Sequence, residues 1–245
     1  MAEGISTIVP ADDPALVTET VQYPGKAGSV KAYVARPKDG GKRGAVIVIH
    51  ENKGLNDHIR DVARRFAKEG LVALAPDLLS RAGGTDQFKS ADDATQAIGK
   101  LTKDGVVEDL ASAVDYLKKQ SFANGRVGVV GFCWGGGQSL NFATKSKELN
   151  AAVVYYGRNP DPLDAVQNIN CPILGNYGQD DPNIVAGVEP LKEAVKKYGK
   201  SADLKVYPGA KHAFNNNTNP ERYHPEASKD AWTRTAGFFK KNLAA

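Results

Sequence analysis

The sequence predicts an α/β fold: a mostly parallel sheet of about eight strands, covered by helices on both faces, in one domain spanning residues 1–245. Two observations carry this. Short, continuous apolar runs such as Ala45–Ile49 and Ala151–Tyr156 lack the in–out alternation of a half-exposed sheet, so each reads as a strand buried on both faces. Between them lie segments with apolar residues at helical spacing, and strand–helix–strand alternation builds parallel sheets.

The elements follow in order. Thr18–Pro24 and Val30–Arg36 alternate polar and apolar residues and read as an antiparallel pair. A turn at Gly40-Gly41-Lys42 leads into the strand Ala45–Ile49. Asn56–Lys68 reads as a helix with Ile59, Val62, Ala63, Phe66 and Ala67 on one face and Gly70 ending it. Leu71–Pro76 is the next strand, and Leu78–Lys89 reads as a loop. Helices are expected at Ala91–Lys100 and Val106–Lys118, a strand at Arg126–Val130, and a helix from Gly136 onward. Strands at Ala151–Tyr156, Pro172–Tyr177 and Leu204–Tyr207 alternate with a helix at Val185–Tyr198, and Pro225–Asn242 is the last helix.

Bulk properties narrow the class. Lys+Arg 32 against Asp+Glu 28 leaves +4, spread along the chain without a basic run, so the sequence predicts no nucleic-acid partner. Two cysteines, Cys133 and Cys171, form neither a disulfide framework nor a zinc set. Cys171, ahead of Pro172-Ile173-Leu174, reads as a small buried apolar residue. No apolar stretch is long enough for a membrane span. Met1–Ile5 shows no signal-peptide pattern, and the expected location is the cytoplasm. No cofactor is expected; the oligomeric state is not legible in the sequence, with a monomer favoured.

The chemistry centres on Gly131-Phe132-Cys133-Trp134-Gly135. An apolar strand precedes it and a helix follows. A nucleophile at the apex of a tight strand–helix turn, with glycine two residues away on each side, is a nucleophile elbow. At a helix N-terminus, partial positive charge favours a thiolate and backbone N–H groups can hold an oxyanion. A base and its orienter should follow later strands, in the order nucleophile, acid, histidine. Gly178-Gln179-Asp180-Asp181-Pro182 and Lys211-His212-Ala213-Phe214 fit that order. His212 is the expected base and Asp181 the expected orienter, with Asp180 the competing acid. Of the other histidines, His50 is expected at the mouth of the site, His58 solvated on its helix, and His224 in a polar turn. No His-x-x-His or His-Glu-x-x-His spacing occurs, so no metal is expected.

These residues resemble the dienelactone hydrolase (carboxymethylenebutenolidase) family of the α/β-hydrolase superfamily. The resemblance covers about Thr18 to Leu243. It rests on His50-Glu51-Asn52-Lys53-Gly54, Ala75-Pro76-Asp77-Leu78, Gly131-Phe132-Cys133-Trp134-Gly135-Gly136, Gly178-Gln179-Asp180-Asp181 and His212-Ala213-Phe214. It implies a cysteine hydrolase of small-molecule esters or lactones. It also implies that Glu51 holds the resting Cys133 thiol, away from the histidine, and deprotonates it once substrate enters. By the same resemblance the oxyanion hole is the backbone N–H groups of Trp134 and Asn52.

The chain departs from the family at two arginines that grip the substrate carboxylate. One, four residues after the histidine, is here Asn216; near the place of the other stands only Arg81. The departure predicts a weaker hold on acidic lactones and a preference for neutral esters, unless Lys53, Arg81, Arg158 or Arg222 supplies the charge. The competing expectations are an esterase that also accepts phosphoesters or thioesters and a non-catalytic binding protein. The set Cys133, Asp181, His212 and Glu51 weighs against the binder, which has no use for all four.

Overall fold

A computed structural model describes residues 8–244; the Met1–Ile5 segment discussed above lies outside them. Eight strands form one sheet: β1 (Leu16–Gly25), β2 (Gly28–Pro37), β3 (Arg43–Ile49), β4 (Val72–Pro76), β5 (Ala123–Phe132), β6 (Ala151–Tyr155), β7 (Ile173–Gly178) and β8 (Ala202–Tyr207). Their spatial order is β1-β2-β4-β3-β5-β6-β7-β8. β1 pairs antiparallel with β2, and β2 with β4; every later pairing is parallel.

The uninterrupted apolar runs serve two cores at once. In β3, Ala45, Ile47 and Ile49 face one cluster while Val46 and Val48 face the other, because successive side chains leave a strand on opposite faces. The first cluster packs under α3 (Lys103–Lys118), α4 (Trp134–Lys145) and α6 (Val188–Lys197) through Leu110, Leu140 and Leu191. The second packs under α1 (Asp57–Lys68) and α7 (Pro225–Leu243) through Val62, Phe66 and Phe239. Full burial of each such side chain is worth about 1.5–3 kcal/mol.

Helix starts are fixed by side chains. Asn56 accepts from Ile59 N–H at 3.1 Å at the start of α1, and Thr102 accepts from Gly105 N–H at 3.1 Å at the start of α3. Ser90 opens α2 (Ala91–Gly99). The expected helix at 185–198 is instead two: α5 (Pro182–Val185) and α6. The reason is Pro190, which has no N–H to give Ala186 and whose ring crowds that carbonyl, so the chain resets at Gly187. The loop at 78–89 carries two short 3₁₀ turns, Ser80–Ala82 and Thr85–Gln87. Among the described residues no helix is long and apolar enough to cross a membrane.

Candidate active site

The elbow is built as its sequence requires. Cys133 sits between β5 and α4 at φ 56°, a strained conformation for a side-chain-bearing residue. The tightness explains Gly131: a Cβ there would lie 1.8 Å from the Gly135 carbonyl oxygen. Cys133 N–H is held by the Tyr155 carbonyl at 3.1 Å.

The loops after β7 and β8 bring the two expected partners to the sulfur. His212 Nε2 lies 3.0 Å from Cys133 Sγ. His212 Nδ1 lies 2.5 Å from Asp181 Oδ2. Asp181 is buried; Asp180 is exposed and does not reach the histidine. The aspartate fixes the tautomer: Nδ1 carries the proton, so Nε2 presents its lone pair to the thiol.

Three consecutive asparagines hold the histidine loop. Asn215 Oδ1 accepts from Ser228 Oγ–H at 2.9 Å, tying the loop to α7. Asn217 Oδ1 accepts from the Arg65 guanidinium at 2.7 Å, tying it to α1. Asn216 Oδ1 accepts from Thr218 N–H at 3.0 Å and Thr218 Oγ1–H at 2.7 Å. That orients its Nδ2, which donates to Glu51 Oε2 at 2.8 Å. All three asparagines are buried.

Glu51 therefore stands otherwise than the resemblance implied. The resting thiol faces His212, and Asn216 holds the glutamate. The other carboxylate oxygen, Oε1, is buried without a hydrogen-bond partner among the described residues. Burial pushes the Glu51 carboxyl above its ordinary range, against the Asn216 bond and the charges of His212, Lys53 and Arg222. Burial first, and the Glu51 charge second, push the Cys133 thiol up to about 11, although Trp134 N–H favours the thiolate.

The other sequence expectations divide. Cys171 is buried in the first core cluster, as expected. His50 is not at the mouth but fully buried beneath the site. Its Nε2 accepts from Leu78 N–H at 3.3 Å, its Nδ1–H meets the Glu51 carbonyl at 2.7 Å, and its ring stacks on Trp134. His58 is buried rather than solvated, and burial pulls its imidazole down to about 4. His224 caps α7, accepting from Ala227 N–H at 3.3 Å. Arg81 is spent on Asp109 and Glu108. Among the described residues no cluster of His, Cys, Asp and Glu could hold a metal. The residue that sequence reasoning missed is Tyr156. Its φ is 40°, its hydroxyl is buried without a partner among the described residues, and its ring packs on His212 at 5.2 Å. Its place directly after an apolar strand is the signal that could have found it.

A cavity of about 870 Å³ opens over Cys133 and His212, large enough for a small organic substrate. Trp134, Tyr156, Pro160 and Ile184 give it apolar surface, and Asn52, Gln138, Asn141, Lys103 and Arg158 give it polar surface.

The sequence profile of the dienelactone hydrolase family matches residues 30–243. A relative from Saccharolobus solfataricus, provisionally named a carboxymethylenebutenolidase, is 36% identical; the alignment covers 89% of this chain and 96% of that one. The crystal structure of a provisional dienelactone hydrolase from Klebsiella pneumoniae superposes with a TM-score of 0.86 at 32% identity, covering 93% of this chain and 99% of that chain. A dienelactone hydrolase-like promiscuous phosphotriesterase from metagenomic libraries shares the fold at 24% identity and a TM-score of 0.81, over 94% of this chain and 100% of that one. With this α/β-hydrolase sheet, the profile match and relatives of equal length, the chain belongs to the dienelactone hydrolase family of hydrolases.

Proposed function

We propose that the protein hydrolyses carboxylic esters or lactones of small molecules through a thioester on Cys133. The observation that carries this reading is the continuous contact Sγ–Nε2 at 3.0 Å and Nδ1–Oδ2 at 2.5 Å, facing a cavity at a strained elbow.

The steps follow from the groups present. The Cys133 thiol is pushed up to about 11, so it is ionised only once a base takes its proton in the complex. By the family resemblance that base is Glu51, whose buried Oε1 has no hydrogen-bond partner among the described residues and whose proton affinity burial raises. When substrate closes the site, the thiol proton passes to Glu51 and Sγ bonds to the carbonyl carbon. The oxyanion meets the backbone N–H groups of Trp134 and Asn52, each worth about 3 kcal/mol in such a hole. The C–O bond to the leaving group breaks, and Glu51 returns the proton to the departing oxygen. Water then adds to the thioester, giving a proton to His212 Nε2. The C–S bond breaks, the acid leaves, and His212 reprotonates the thiolate. A thiol left unionised between turnovers also resists oxidation.

The test is hydrolysis of a chromogenic short-chain acyl ester by the wild type and by Cys133→Ala. Turnover by the wild type and its loss in the folded variant are expected. Equal rates in both would refute the reading, and no turnover of any ester or lactone would return the protein to the binding class. A phosphotriester and a thioester in the same panel measure how far the site extends beyond carboxylic esters.

A further inference from the structure

We propose that His50 is a positioning residue of the oxyanion hole: by holding the Glu51 carbonyl, it aims the Asn52 N–H into the cavity. This rests on the hydrolase reading above, in which Asn52 and Trp134 donate to the oxyanion, and adds the group that sets their direction.

The Glu51 carbonyl and the Asn52 N–H belong to one peptide unit. That unit is trans, so the two groups point to opposite sides of the chain. His50 lies fully buried beneath the site, with Nδ1 2.7 Å from the Glu51 carbonyl oxygen. The far side of the ring fixes the sense of that bond. Leu78 N–H donates to Nε2 at 3.3 Å, so Nε2 carries the lone pair and Nδ1 the proton. Burial disfavours the imidazolium, which keeps the ring neutral with one donor and one acceptor. The Glu51 carbonyl is thereby drawn down toward the ring. The Asn52 N–H must then face the other way, toward the cavity that Asn52 lines. No acceptor among the described residues takes it.

The second donor is tied to the same ring. Trp134 stacks on His50 with ring centroids 5.5 Å apart and 15° between the planes. Behind them the first turn of α4 rests on the end of β3, where a Cβ on Gly135 would fall 2.3 Å from the His50 carbonyl oxygen. The next peptide is met from α2: Thr95 Oγ1–H, shared with the Ala91 carbonyl, reaches the Asn52 carbonyl at 2.9 Å. The peptides on both sides of Asn52 are therefore held, one by His50 and one by Thr95. Donors fixed before the reaction need no reorganisation as the oxyanion forms.

The test sets two substitutions against each other. His50→Asn keeps a donor near the place of Nδ1 and loses the ring. His50→Phe keeps a ring against Trp134 and loses the donor. Both leave Leu78 N–H without its acceptor, so that loss cancels in the comparison. With a chromogenic short-chain acyl ester, His50→Phe should lower kcat about tenfold or more and leave KM within about twofold, since losing an oxyanion donor outright costs about 10²–10³ in kcat. His50→Asn should retain more of kcat than His50→Phe. A role in packing alone gives the reverse order, and that order would overturn the proposal. A trifluoromethyl ketone with the same acyl chain bonds its carbonyl carbon to Sγ, the thiol proton passing to Glu51, and leaves an oxyanion in the hole. Its affinity should fall in His50→Phe in parallel with kcat, while the plain methyl ketone binds both proteins alike; an unchanged affinity for the trifluoromethyl ketone would refute the role. Alkylation of Cys133 by iodoacetamide forms no oxyanion and should stay within about twofold of wild type. A kcat loss matched by an equal alkylation loss would place the effect on the thiol and sink the proposal. If hydrolysis still depends on Cys133 in these cases, the hydrolase reading stands and only the role of His50 falls; a wild type that cleaves no ester removes both. Should both variants misfold, ¹⁵N NMR of the wild-type histidines decides. His50, identified by its contacts with the Trp134 ring, should carry its proton on Nδ1, and a proton on Nε2 would refute the clamp.

Discussion

Replacing Glu51 by glutamine should make the resting thiol easier to alkylate while slowing ester hydrolysis. The thiol is pushed up to about 11, with burial the larger cause and the Glu51 charge the second. At pH 7 that leaves a thiolate fraction of about 10⁻⁴, against a few per cent for a free cysteine. Alkylation by iodoacetamide should thus run roughly two orders of magnitude slower than for a model thiol. Glutamine keeps the shape and still accepts from Asn216 Nδ2, so the loop after His212 stays in place. It removes a negative charge whose effect on a nearby titrating group is about one pKa unit or more, so alkylation should rise about tenfold. The sign fixes a pH dependence. Glu51 opposes the thiolate only while ionised, and burial raises its proton affinity. The difference between variant and wild type should therefore widen as pH rises through the Glu51 titration. Desolvation is untouched, so the variant should remain slower than a free thiol. Hydrolysis should fall by about 10²–10⁴, the usual contribution of a proton-transfer group. The assay is pseudo-first-order alkylation of Cys133 from pH 6 to 9, followed by peptide mass. A wild-type rate equal to that of a free thiol, unchanged in Glu51→Gln, would refute the reasoning.

Three further outcomes follow from the same geometry. Asp181→Asn should lower kcat by on the order of 10⁴, by removing the acceptor that sets the histidine tautomer, while Asp180→Asn should stay within about twofold; equal effects would remove Asp181 from its role. Gly131→Ala should cost soluble yield and several degrees of Tm, because its new methyl group meets the Gly135 carbonyl; an unchanged Tm would contradict the packing. His58, held near 4 in the fold, takes up a proton mainly on unfolding as pH drops below about 6.5. Stability should thus fall as pH falls from 6.5 toward 4, by on the order of 3 kcal/mol from this residue. Denaturant titrations of wild type and His58→Leu across that range should diverge, and parallel curves would count against it.

What could be read in the sequence was what short-range physics decides. Ala45–Ile49 declares a strand because every residue in it must be apolar to serve one core or the other. Gly131 and Cys133 declare an elbow because only glycine tolerates the approach. Asp181 and His212 were legible from their places after apolar runs. The rest depended on contacts between distant segments. Asn216 meets Glu51 across 165 positions, and nothing local to either residue announces the bond. His58 looked solvated because Asp57 and Arg60 flank it, yet its own side of α1 is closed over. The break before α6 has a local cause in Pro190, while the apolar spacing of the segment runs on through it.

The central claim is a covalent acyl group on Cys133. Mixing His212→Ala with a short-chain acyl ester and quenching in acid should trap it, since attack is retained in part while the water-activating base is gone. Mass spectrometry should find the acyl mass on the peptide containing Cys133, as a hydroxylamine-labile thioester, and nothing on the peptide containing Cys171. The Cys133→Ala protein should carry no label and hydrolyse no ester. An acyl group on another residue, or full turnover by Cys133→Ala, would contradict the account.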